Sequence, residues 1–276
     1  MKAFLRYAGS LALMAAFLYW AFHGIDASAL WSSAREASPT WLALIVVTTV
    51  ATAVLRAWRW VVLLRPVAPT VTVVDATLAL AICYSANLAL PRAGEAARAL
   101  SLKWRRDADV SAVLGTVVVE RVLGHLSAPL AARVGGILGR FVHGLSALRT
   151  PSAYAEILAS SLLLNAGYVC IIYESYAAFG FDGPPWNLGA AAALVVMSIS
   201  SIGVVAPTPG GTGSYHFFFG RSLSALFGVP QAPALACATV VHAVSSLTYL
   251  AIGLPALLAQ RRRSGHADAR ASTAAR

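Results

Sequence analysis

The sequence predicts an all-α, polytopic membrane helix bundle of about seven or eight apolar segments, one or two of them broken or re-entrant. Three observations lead there. The 276 residues are 58% hydrophobic and 12% charged, whereas a soluble domain carries roughly 25% charged residues. Apolar runs of roughly 18 residues or more recur along the chain, and about 20 residues at 1.5 Å rise cross a bilayer core. The formal net charge of +10, from 21 Lys and Arg against 11 Asp and Glu, falls mostly between those runs.

That charge pattern favours anionic lipid headgroups as partners. No zinc-finger, helix-turn-helix or RNA-binding signature accompanies the basic residues, so nucleic acid is excluded as a partner. Cys83, Cys170 and Cys237 are far apart, each within an apolar run. They read as small buried hydrophobes rather than as disulfides or metal ligands.

Along the chain, residues 5–22 form the first run. Lys2 and Arg6 before it and Ala27-Ser28-Ala29 after it imitate a signal peptide, but the run's length and Trp20 near its end favour a retained first helix. Residues 41–64 follow, with Arg56 and Arg59 three apart and Arg65 beyond them, all placed to snorkel to a cytoplasmic surface. Residues 71–90 are apolar, carry Ser85 and Asn87, and stop at Pro91. The connector after them holds Arg92, Arg98, Lys103, Arg105 and Arg106. Residues 110–130 embed Glu120, Arg121 and His125, and 131–152 are too Gly-rich and charged for a span. Residues 153–178, 187–205, 212–227 and 232–258 complete the set, with a turn at 179–186. Glu156, Tyr173 and Glu174 sit near segment ends and read as interfacial, non-catalytic residues. The organisation is a membrane domain over 1–260 and a basic, disordered cytoplasmic tail over 261–276.

Arg261, Arg262 and Arg263 after the last run, and Lys2 with Arg6 before the first, put both termini in the cytoplasm. Simple alternation would then leave the basic connector outside. The physical repair is a re-entrant 71–90 segment, its broken backbone buried in protein or lining a cavity, and a second exception at 212–227, which is entered through Pro and Gly.

Three motifs could carry chemistry. Pro91-Arg92-Ala93-Gly94-Glu95 with Arg98 starts a helix after Pro91 and puts Arg92, Glu95 and Arg98 in three-residue steps on one face. It reads either as a self-paired, solvated helix cap or as a site for an anionic headgroup, whose phosphate the Arg fork fits. Pro207-Thr208-Pro209-Gly210-Gly211-Thr212-Gly213 interrupts apolar sequence. It is either a surface loop or a concavity of backbone N–H groups for an anion, with Pro209, Gly210, Gly211 and Gly213 as candidates. A Ser-containing apolar run ending in Pro and Gly in both halves is the pointer to a transporter site built from broken helices. Glu120 and Arg121, at membrane depth, are functional residues or a structural ion pair. The sequence holds no P-loop, dinucleotide fingerprint or nucleophile elbow, and its six His lack metal-ligand spacing, so no cofactor is expected.

In order and spacing these three motifs resemble the flippase-like family related to the transmembrane region of lysylphosphatidylglycerol synthases, over roughly residues 5–258. The resemblance implies an all-helical protein of the bacterial or archaeal inner membrane that handles lipids. Two departures stand out. Relatives carry more membrane sequence after the Glu-Arg helix than 130–152 supplies, and often an acidic residue where His216 stands. The lysyl-transferring enzymes also need a large soluble C-terminal domain, and 18 residues follow the last run here, so the expectation is a non-enzyme. The leading reading is translocation of an anionic or lipid-linked headgroup held by Arg92, Arg98 and the glycine loop. The alternatives are a non-transporting membrane partner of a lipid or glycan synthase, or a membrane-embedded transferase.

Overall fold

A computed structural model describes residues 2–90, 93–125 and 151–274, and among them every regular element is a helix. The helices are α1 (Lys2–Phe22), α2 (Ala27–Glu36), α3 (Pro39–Leu64), α4 (Val73–Ala89), α5 (Ala93–Arg106), α6 (Val110–His125), α7 (Pro151–Ala178), α8 (Ala190–Val205), α9 (Ser214–Phe227) and α10 (Gln231–Ala274). One 3-10 turn, Pro209–Gly211, separates α8 from α9. Pro91, Arg92 and the stretch read as too charged for a span lie outside the described residues, except for its last two, Pro151 and Ser152, which open α7.

Three helices are long and apolar enough to cross a bilayer: Pro39–Leu64, Pro151–Ala178 and Gln231–Gln260. At 17 and 16 residues, α4 and α8 reach about 25 Å, short of the roughly 30 Å hydrocarbon core. With 14 residues, α9 is shorter still. Of these, α4 and α9 coincide with the two segments that the charge pattern marked as exceptions, whereas α8 was read as an ordinary apolar segment. The 71–90 segment is not broken internally, since α4 runs unbroken to Ala89 and the chain leaves it only at its end.

The first run is also reshaped. Its helix, as Tyr7–Phe22, meets Ala27–Glu36 at 87°. The Asp26 carboxylate caps the second piece by accepting from the Ser28 amide at 2.8 Å, which satisfies an orphan donor of the first turn. Ala27-Ser28-Ala29 is thus the first turn of a helix. At the other end, α10 continues through Arg261, Arg262 and Arg263 to Ala274; its Ala and Arg residues are among the best helix formers.

The chain divides into two compact units. The first comprises 1–52, 87–91 and 165–248. Its core gathers Ile45, Tyr176, Val196, Phe219, Leu223, Cys237 and Val241, and α9 packs against α8 and α1. The Ser38 amide donates to the Ala178 carbonyl at 2.8 Å, tying the start of α3 to the end of α7. Cys170 is exposed rather than buried, unlike Cys83 and Cys237; an apolar run on a lipid-facing helix gives no sign of which side a thiol takes.

The second unit comprises 53–86, 92–164 and 249–276. Its core gathers Ala57, Trp60, Leu63, Leu64, Leu80, Ala99, Leu102 and Val113. The amphipathic α5 packs on α6 through one face. Asp75, in the first turn of α4, accepts from the Thr72 amide and from Arg106 Nε at 2.7 Å. Between α5 and α6, Asp109 caps the next helix; the Ser111 hydroxyl and the Ala112 amide on its carboxylate hold it below the usual carboxylate range. Gly253 of α10 lies against α4 so closely that a Cβ there would collide with the Ala81 carbonyl and Ser85 Oγ.

Candidate functional site

In the second unit, three arginines gather at one turn of α3. Arg98 is 2% exposed, and its guanidinium lies 4.6 Å from the Trp60 ring centroid. Arg56 shares the Trp60 face of α3 at i,i+4 and donates to the Tyr84 hydroxyl at 2.6 Å. Arg59 is buried and donates to Ser161 Oγ at 3.3 Å. Trp60 itself is fixed by its indole N–H on Thr116 Oγ1 at 3.0 Å, and Tyr84 by stacking on Tyr249 at 4.1 Å.

The sequence folds this way because α5, which starts at Ala93, carries Gly94, Arg98, Ala99, Ser101 and Leu102 inward together on one face. Gly94 is buried and Glu95 half-buried, one turn before Arg98. Ser101 accepts from Gln260 Nε2 at 2.9 Å.

A buried guanidinium in membrane protein is costly unless it faces partners or a polar interior. Each of these groups has a partner that fixes its direction: an aromatic face, a phenol or a hydroxyl. The planar guanidinium fork of an arginine fits two oxygens of a phosphate. The snorkelling expected of Arg56 and Arg59 does not occur; Tyr84 and Ser161 hold them inside the unit. Arg65 meets a carboxylate, Glu156, at 2.7 Å.

The Pro and Gly loop belongs to the first unit. Ser10 Oγ donates to the Pro207 carbonyl, and Ser214 Oγ bridges Thr208 Oγ1 at 3.0 Å and the Gly203 carbonyl at 2.6 Å. The amides of Gly211, Thr212 and Gly213 donate to the Thr208 carbonyl, the Pro209 carbonyl and His216 Nδ1. Those three N–H groups, read from sequence as a cradle for an anion, are instead the loop's own hydrogen bonds. Pro209 and Gly211 are buried, and Gly210 turns at φ 59° against Leu88. Gly213 sits at φ 84° with its α-carbon against α1.

Arg92 lies outside the described residues, as do the side chains of Glu120, Arg121 and His125; the backbone puts the last three on α6. Glu174, near the end of its segment, does not face open solvent. It is buried in the first unit and accepts from Thr48 Oγ1 at 2.6 Å. Sequence reasoning missed Trp60, Tyr84 and Thr48 as partners. The available signal was the i,i+3 pair Arg56 and Arg59 inside a span beside a tryptophan.

The profile of the lysylphosphatidylglycerol synthase TM region matches residues 7–140 and 125–253. No curated protein and no solved structure matches the chain. The matched stretches take in α5, the arginine-bearing turn of α3 and the Pro and Gly loop. A multi-pass helical membrane protein tied to lipid-related processes, this chain belongs to the lysylphosphatidylglycerol synthase TM region family.

Proposed function

We propose that this protein translocates an anionic or lipid-linked headgroup across the inner membrane, without covalent change to the lipid. The observation that carries the reading is the buried Arg98 guanidinium over Trp60, with Arg56 and Arg59 on the same turn of α3. Buried guanidinium groups gathered at one turn of a membrane protein suit a substrate that carries negative charge. Acyl chains stay in the bilayer while the headgroup passes the arginines.

Reconstitution tests this. Parent, Arg98→Lys and Arg98→Gln are placed in liposomes at matched amounts, and the movement of fluorescent anionic and zwitterionic lipids is followed. Lys keeps the charge but loses the planar fork, so transport of the anionic lipid falls about tenfold, and further in Arg98→Gln. Equal anionic transport by parent and Arg98→Lys rejects the role. A covalently altered lipid in the parent liposomes supports an enzyme instead, and no movement with any lipid supports a non-transporting partner of a synthase.

The same reading orients the protein with both termini and the end of α5 in the cytoplasm, following its positive charge. Lys103 is half-exposed at that end. A Lys103→Cys variant therefore resists an impermeant thiol reagent in intact cells and reacts after permeabilisation. Labelling in intact cells overturns the orientation.

A further inference from the structure

The first unit contains a small open cleft of about 50 Å³ that the arginine cluster does not explain. Trp20, His23, His216, Arg221, Ser224 and Gln231 line it, and no Asp or Glu does. Each of its polar side chains can offer a hydrogen-bond donor. The Gly213 amide donates to His216 Nδ1 at 3.2 Å, so in the neutral ring Nε2 carries the hydrogen and is left to donate elsewhere. Arg221 is exposed and forms no ion pair among the described residues. Gln231 is the first residue of α10, where the amides of the opening turn carry the positive end of the helix dipole.

The cleft's height in the membrane follows from α1. Tyr19 and Trp20, in its last turn, are 61% and 57% exposed, and the chain then turns 87° into α2. Exposed Tyr and Trp at the end of an apolar helix mark the headgroup level of a bilayer. We propose that this cleft is a binding site for a phosphate anion at the membrane surface, with a phospholipid headgroup as its occupant. Arg221 offers its planar fork to two phosphate oxygens, His216 Nε2, Ser224 Oγ and Gln231 Nε2 donate to the remainder, and Trp20 covers the glycerol.

This proposal is independent of the transport reading, and a local probe keeps the two apart. In the full-length chain, Cys170 is the one exposed cysteine among the described residues. A Cys170→Ala, Ser224→Cys variant therefore takes up a maleimide at position 224 alone. Short-chain dihexanoyl phosphatidylglycerol is expected to slow that labelling at least fivefold, whereas dihexanoylglycerol, which lacks the phosphate, leaves it unchanged. Adding Arg221→Gln abolishes the protection, and its unprotected labelling rate, equal to that of the variant with Arg221, reports an intact fold. Adding Arg98→Gln leaves protection unchanged even where transport is lost. Equal protection by glycerol 3-phosphate supports the anion site with a soluble occupant. Labelling that ignores phosphatidylglycerol, or protection that survives Arg221→Gln, overturns the site.

Discussion

Gly253→Ala lowers the midpoint of thermal unfolding by roughly 5–10 °C. In most helices the exchange is favourable, because Ala loses less backbone entropy than Gly, by roughly 0.5–1 kcal/mol. Here the added methyl meets backbone. The Ala81 carbonyl carbon would stand 2.6 Å from it, with the carbonyl oxygen and Ser85 Oγ nearer still. A side chain could rotate away, but a carbonyl in the middle of α4 moves only with its helix. Separating α4 from α10 also strains the Ser85 hydroxyl's bond to the Tyr249 carbonyl and the Tyr84–Tyr249 stack. Close approach through a small residue is how membrane helices associate without a hydrophobic driving force. Overpacking of this kind costs about 1–3 kcal/mol. The control is Gly115→Ala in α6, where a Cβ meets nothing within 4 Å; its midpoint is unchanged or raised. A Gly253→Ala protein that melts with the parent in detergent scans rules out the close approach.

A larger effect is expected at Gly213. Its φ of 84° and ψ of −62° lie where an L side chain is strained, at a cost of about 1–3 kcal/mol. A Cβ there would also stand 2.7 Å from the Met14 carbonyl oxygen and 3.2 Å from the Leu18 amide nitrogen, both backbone atoms of α1. The two penalties are independent, so Gly213→Ala loses roughly 3–5 kcal/mol. Gly211→Ala separates them: its φ is 77°, but a Cβ there meets nothing within 4 Å, so it bears the conformational cost alone. Midpoints measured side by side fall in the order parent, Gly211→Ala, Gly213→Ala. If the two glycine variants melt together, α1 does not seat on the loop.

Much of the architecture was legible because it depends on local composition. Apolar length marked α3, α7 and α10, Pro91 marked the start of α5, and Pro207 to Gly213 marked the break before α9. The sharp turn into α2 was not legible, since Ala27-Ser28-Ala29 satisfies a peptidase-like pattern and a capped helix start equally well. Polar residues inside spans were the other failure. Arg59 and Glu174 find their directions from Ser161 and Thr48, which lie 102 and 126 residues away in the chain. Nothing near either residue says whether it will reach for water or for a partner. The candidate site suffers from the same blindness. The α5 motif located Arg98, and the spacing of Arg56, Arg59 and Trp60 put them on one turn, but only the fold reveals that Arg98 faces Trp60.

The way the chain is shared between its two units bears on how the protein is made. Both units use residues from early and late in the chain, and the second is completed only by residues beyond 248. A ribosome adding roughly 5–20 residues per second therefore leaves Arg59 in the membrane for roughly 5–20 s before Ser161, 102 residues later, is synthesised. During that interval the Ser161 hydroxyl is not yet there to accept from that guanidinium. Neither unit can be completed while the ribosome is still working through the first half of the message, so quality control of this protein acts on a nascent chain whose charged groups are still waiting for their partners.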